Sequence, residues 1–174
     1  MNNDLTYEGL SEENIINNLF IKDNGVLAGA LIPFESVKTP KFVKGIGTGA
    51  FRGTGLEEVE LNEGITRIGA DAFRNNFLHK VDIPSSVTII DDGAFLENPL
   101  EEITFNLKGK KITVDLGNHN NINDFEIKDD AVAFSGTSRN GSKVFYEATE
   151  RVIFETTSQK FVNSSRSDRN APAI

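Results

Sequence analysis

Cysteine is absent from all 174 residues, and with it go disulfide staples, thiolate nucleophiles and zinc–thiolate sites. Tryptophan is also absent, and tyrosine and histidine occur twice each, so few side chains are left for general acid–base or metal chemistry. No run approaches the roughly 20 apolar residues that a membrane helix needs. Positive charge is scarce: 18 Lys and Arg face 26 Asp and Glu, a net charge of −8. That sign is wrong for displacing counterions from nucleic acid and disfavours an anionic membrane surface. Met1-Asn2-Asn3-Asp4 lacks the basic and apolar regions of a secretory leader. Lack of cysteine suits a reducing cytoplasm and a thiol-free surface protein equally well. Against these absences stands one overused aromatic, with 13 Phe, which points to a packing slot that recurs.

The recurrence is explicit. Ile46-Gly47-Thr48-Gly49-Ala50-Phe51 aligns with Ile68-Gly69-Ala70-Asp71-Ala72-Phe73 and with Ile90-Asp91-Asp92-Gly93-Ala94-Phe95, each step being 22 residues without a gap. The rest of the unit keeps the same step. Leu56-x-x-Val59-x-Leu61 matches Leu78-x-x-Val81-x-Ile83 and Leu100-x-x-Ile103-x-Phe105, and Ile65-x-x-Ile68 matches Val87-x-x-Ile90. Weaker copies flank the three. Phe34-x-x-Val37-x-Thr39 lies upstream, and Ile122-x-x-Phe125-x-Ile127 lies downstream with Ile112 aligned beneath Ile90.

A period this short reads as a solenoid, in which no unit can bury its own apolar face and the stack itself is the core. Glu58-Val59-Glu60-Leu61 alternates polar and apolar residues, the pattern of a half-buried strand. Ile65-Thr66-Arg67-Ile68 reads as a second short extended segment after the turn at Asn62-Glu63-Gly64. Gly-x-x-Ala-Phe reads as a tight turn leading into one short helical turn. Stacking at roughly 4.8 Å then gives columns: Phe51/Phe73/Phe95, Leu56/Leu78/Leu100 and a polar column Thr54/Asn76/Asn98 placed to bond free backbone groups.

These motifs resemble the BspA-like leucine-rich repeats of bacterial surface proteins. Leu78 to Phe95 carries nearly the whole pattern, with Asp91 where the family has Gly. Thr39 and Asn62 stand where Ile-Pro is usual, and 106–121 is eroded. The resemblance implies a mainly β, right-handed leucine-rich repeat solenoid with a parallel sheet on one face. It also implies adhesion or protein recognition at a cell surface, and no catalytic residues.

The expected organisation has four parts. Residues 1–33 form an N-terminal cap: a short helix started by Ser11-Glu12-Glu13, then a hairpin turning at Asp23-Asn24-Gly25. The solenoid occupies 34–127, with three clear and two degenerate units. Residues 128–162 hold strand-like runs at 131–134, 143–146 and 151–154, read as a β-rich C-terminal cap rather than the start of another domain. Residues 163–174 are a polar, flexible tail.

Chemistry finds little footing. His79 occupies the variable column of Glu57 and Glu101, a solvated strand entry, and His119 sits in an Asn-rich loop with no triad partner. The pairs Asp91-Asp92 and Asp129-Asp130, and the oxygen-rich stretch 118–124, lack the ligand spacing of a calcium loop. Gly45-x-Gly47-x-Gly49 is explained by the repeat, and no Lys-Ser/Thr follows it as in a phosphate loop. No cofactor and no metal are expected.

The outward strand positions carry the functional expectation. They run Ser36/Glu58/Lys80/Glu102/Asp124 and Lys38/Glu60/Asp82/Thr104/Glu126, mainly acidic with a lysine in each column. Extended solenoid sheets are the usual binding surface. Glu58, Glu60, Lys80, Asp82, Glu102, Thr104, Asp124 and Glu126 are therefore the expected contacts with a protein partner carrying basic groups. The bland reading of the same charges is a solubilising surface. The chain reads as a non-catalytic recognition or adhesion module of an extracellular or cell-surface protein. The alternative is a structural spacer or stalk that presents another domain.

Overall fold

The computed structural model describes residues 15–117, 119–150 and 153–156. The expected helix start at Ser11-Glu12-Glu13, Asn118 of the Asn-rich loop, Arg151 and the 163–174 tail lie outside the described residues. Within them the chain is built from strands and turns, with no helix.

The first three strands form two hairpins: β1 (Ile15–Ile16), β2 (Leu19–Ile21) and β3 (Val26–Ala30), all antiparallel. Asn17 and Asn18, at φ of 52° and 67°, make the first turn, because Asn tolerates the left-handed region that such a turn demands. Gly25, at φ 88°, belongs to the second. Four coils follow. Their strand-face segments are β4 (Ser36–Lys38), β6 (Glu58–Glu60), β8 (Lys80–Ile83) and β10 (Glu102–Leu107). Between them lie the short strands of a second sheet, β5 (Gly45–Ile46), β7 (Arg67–Ile68) and β9 (Ile89–Ile90). That sheet has the order β1-β2-β3-β5-β7-β9, so the N-terminal hairpins continue it directly.

The Ala-Phe segments are turns, not the short helical turns expected. Gly49, Asp71 and Gly93 have φ of 65°, 56° and 78°, and Gly53, Asn75 and Glu97 have φ of 64°, 62° and 63°. A left-handed residue recurring at two fixed positions of each unit cannot propagate a helix. It aims the Phe N–H between them at the next coil, while the N–H groups on either side of the Phe close turns within their own coil. Phe51 N–H donates to Ala72 C=O (2.7 Å) and Phe73 N–H to Ala94 C=O (2.8 Å). The turn backbone is thus satisfied partly by stacking and partly within the coil, as buried amides require.

The core is one continuous cluster running through the coils. Phe51, Phe73 and Phe95 are fully buried, and successive rings stack at 5.4 Å within 6° of parallel. The polar column is equally ordered. Asn76 Oδ1 accepts from the N–H groups of Thr54 and Leu56, while its amide donates to the carbonyls of Phe51 and Phe73. Asn98 repeats the device one coil on, with Leu78 N–H, Phe73 C=O and Phe95 C=O. Where the family resemblance lacks Ile-Pro, Thr39 and Asn62 form a polar clamp: Thr39 Oγ1 to Asn62 Oδ1 at 2.6 Å, and Asn62 amide to Val43 C=O at 2.8 Å.

After the fourth coil the parallel stack stops. β10 turns through Lys108 and Gly109, at φ of 45° and 85°, into the antiparallel β11 (Lys110–Asp115). This corrects the alignment of Ile112 under Ile90, since Ile112 instead pairs with Phe105 across the hairpin. It also relocates 122–127. Those residues form β12 (Asn120–Ile127), which pairs antiparallel with β13 (Ala131–Thr137) and does not continue the coils. β14 (Lys143–Thr149) and β15 (Ile153–Thr156) complete a four-stranded sheet. Its Phe134 and Tyr146 join the solenoid core, and Phe125 meets Phe95 edge-on at 6.2 Å, closing the Phe column.

Candidate strand-face recognition site

Alternation along β4, β6, β8 and β10 puts Val37, Val81 and Ile103 into the core and their neighbours outward. The parallel register sets Ser36 beside Glu58 and Lys38 beside Glu60, then Lys80 beside Glu102 and Asp82 beside Thr104. Six of the eight expected contact residues are thereby brought together: Glu58, Glu60, Lys80, Asp82, Glu102 and Thr104.

The other two are not among them. Asp124 and Glu126 sit on β12, in the C-terminal sheet, because β11 takes the place where a fifth coil would have put them. Asp124 binds Lys143 (2.8 Å) and the Ser135 hydroxyl (2.9 Å), and Glu126 pairs with Lys128 (3.4 Å). Partial burial pushes the Asp124 carboxyl up, but the hydrogen bonds from Lys143 and Ser135 outweigh it and hold the group below its ordinary value.

In their place β11 contributes Lys111, Thr113 and Asp115, in register with Asn106, Thr104 and Glu102. Thr104 and Thr113 share a hydroxyl hydrogen bond at 3.0 Å. The signal for these residues was present in the sequence. Alternating Ile103/Phe105/Leu107 and Ile112/Val114/Leu116 flank Lys108-Gly109, the pattern of a two-residue hairpin.

The face is interrupted at one seam. β4–β6 and β8–β10–β11 belong to separate sheets, and Val59 beside the seam is only half-buried, whereas Val37 is 7% and Val81 3% exposed. A shallow cleft of about 680 Å³ runs along the face over this seam. Six carboxylates (Glu35, Glu57, Glu58, Glu60, Asp82, Glu102) and two lysines (Lys38, Lys80) line it. Lys38 pairs with Glu60 at 3.6 Å, both well exposed, an arrangement of little energetic weight. Among the described residues, Glu35, Glu57, Glu58 and Glu102 have no cationic partner within salt-bridge distance.

Ion pairing on the turn side contrasts with this. Arg52–Asp71–Arg74–Glu97 links three coils, with Arg74 to Glu97 in a two-point contact at 3.2 Å, and Arg67 holds Asp91 at 2.8 and 3.0 Å. The Arg74 hydrogen bonds keep the Glu97 carboxyl below its ordinary value. The turn side spends its charges on itself, and the strand face leaves most of its carboxylates open.

The two histidines lie on different surfaces of the fold. His79 Nδ1 lies 3.5 Å from Glu101 on the strand face, and His119 Nδ1 lies 2.6 Å from the Tyr146 hydroxyl. Among the described residues no group of three or more His, Asp or Glu is placed to hold a metal, and no helix is long and apolar enough to cross a membrane.

A family model described as BspA type leucine rich repeat region matches residues 30–149 in six copies, reaching past the four coils into β14. No curated protein and no solved structure matches the chain.

Proposed function

Because this chain belongs to the BspA-type leucine-rich repeat family, we propose that it is a non-catalytic recognition module whose strand face binds a protein partner. Solenoids of this kind serve as binding scaffolds, since stacking yields a wide, rigid sheet surface. The observation that carries the reading is the set of open carboxylates over the seam at Val59. A lysine or arginine stem can lie on Val59 while its cation meets Glu58 and Glu60. The partner is accordingly a protein with exposed basic groups, met at a cell surface or in the surrounding matrix. In this reading the strands β1–β3 and the sheet β12–β15 are caps that protect the two ends of the stack.

The test is affinity capture from extracellular-matrix and cell extracts, with wild-type protein and a Glu58→Lys, Glu60→Lys, Glu102→Lys variant as paired baits. Enrichment of a partner by the wild type alone supports recognition through this face. Equal enrichment, or none, leaves the chain as a spacer presenting another domain.

A further inference from the structure

The β13–β14 hairpin closes through residues 138–142, and Asn140 and Gly141 at its tip are exposed. Asn140 Oδ1 accepts two hydrogen bonds, from the Ser138 hydroxyl at 2.5 Å and from the Ser142 N–H at 3.0 Å. Gly141 has φ +87°, and no atom lies within 4 Å of where a Cβ would stand. The sequence holds one other Asn-Gly pair, Asn24-Gly25. There Oδ1 accepts from Val26 N–H at 3.1 Å, and Gly25 is buried with Lys44 Cγ 3.0 Å from the Cβ position.

We propose that Asn140 is a site of spontaneous covalent modification, converting to aspartate and isoaspartate through a succinimide. The Gly141 amide nitrogen loses its proton to solvent base and attacks Cγ of Asn140. The new C–N bond closes the ring, and the side-chain nitrogen departs as ammonia after taking up a proton from water. A water molecule then opens the ring at one carbonyl or the other, so the net change replaces an amide nitrogen with a water oxygen. Negative charge builds on Oδ1 during the attack, and there it meets two donors already in position. This is the arrangement that stabilises an oxyanion without reorganisation. Glycine leaves the path of attack clear of side-chain atoms.

One hydrogen bond opposes the reaction, because Gly141 N–H donates to Ser138 C=O at 2.9 Å. Gly25 N–H donates to Lys22 C=O at the same distance, so this brake acts on both sites and does not rank them. The Ser138 hydroxyl and the open surroundings of Gly141 do rank them, and Asn140 reacts first. The product carries a new carboxylate at the tip, and in the isoaspartyl form one extra backbone carbon in the loop.

The test is incubation of the full chain at mildly alkaline pH, with digestion and mass spectrometry of the peptides holding Asn140 and Asn24. Expected are amide-to-acid conversion at Asn140 ahead of Asn24, two separable products, and a rate that rises with pH. Ser138→Ala slows Asn140 roughly five-fold by removing one exposed hydrogen-bond donor and leaves Asn24 unchanged. Asn24 in the same sample also reports whether the variant keeps its fold. Asn24 converting first, both amides remaining intact, or an Asn140 rate unaffected by Ser138→Ala would each overturn the assignment.

Discussion

Asn76 bonds five backbone groups from a position that is only 3% exposed, so its loss falls on several coil-to-coil and turn contacts at once. Replacing it with leucine keeps the volume but strips the Thr54 and Leu56 N–H groups of their acceptor, each at about 1–3 kcal/mol, while the Phe51 and Phe73 carbonyls keep the Thr54 hydroxyl and the Asn98 amide. Asn76→Leu is expected to cost about 2–6 kcal/mol in all, read as a fall in the urea midpoint. A shift of less than about 1 kcal/mol would mean that water or a neighbouring coil takes over the bonds. Asp124 offers a second reading at this scale. Its folded pKa lies below the unfolded value, about 3.9 for aspartate. Its contribution is therefore complete above that value and lost as pH falls through the lower folded pKa. Asp124→Asn keeps the left-handed backbone that Asn accepts. The variant should lose less stability than wild type between about pH 4 and the acid limit of the folded state, and parallel pH profiles would refute the linkage.

The β10–β11 hairpin marks where the coils end, and the residues that decide it are Lys108 and Gly109. Gly109 has open space at its Cβ position, so Gly109→Ala tests backbone conformation without a clash. The left-handed penalty predicts a loss of about 1 kcal/mol, whereas Lys108→Asn should be neutral or gain a few tenths, because Asn-Gly suits this turn. No shift in the unfolding midpoint with Gly109→Ala would argue against the hairpin. At this scale the sequence was legible where one rule governed a stretch. The Phe, Leu and Asn columns could be read because each depends on a single repeated spacing. The turns were misread as helical because Asp71, Asn75 and Glu97 hide left-handed positions that only Gly49, Gly53 and Gly93 advertise. The 22-residue count also carried the alignment past Leu107, where the two-residue alternation around Lys108-Gly109 had already replaced it.

Over the whole molecule, one core joins four coils to a C-terminal sheet through Phe95, Phe125, Phe134 and Tyr146, with the second sheet extended by the N-terminal hairpins. Charge is divided between the two surfaces: ion-paired ladders bind coil to coil along the turns, and open carboxylates face out along the strands. Six of the eight strand-face residues were legible from alternation alone. Asp124 and Glu126 were not, because their placement depends on the hairpin that displaces a fifth coil. The most direct measurement is the affinity of a captured partner for wild type and for the Glu58→Lys, Glu60→Lys, Glu102→Lys variant, with unfolding midpoints measured on both. Reversing three strand-face charges, the open Glu58 and Glu102 and the weakly paired Glu60, opposite a basic surface should weaken binding roughly 100-fold and flatten its salt dependence, with stability nearly unchanged. Equal affinity in two equally stable proteins would contradict recognition through the strand face.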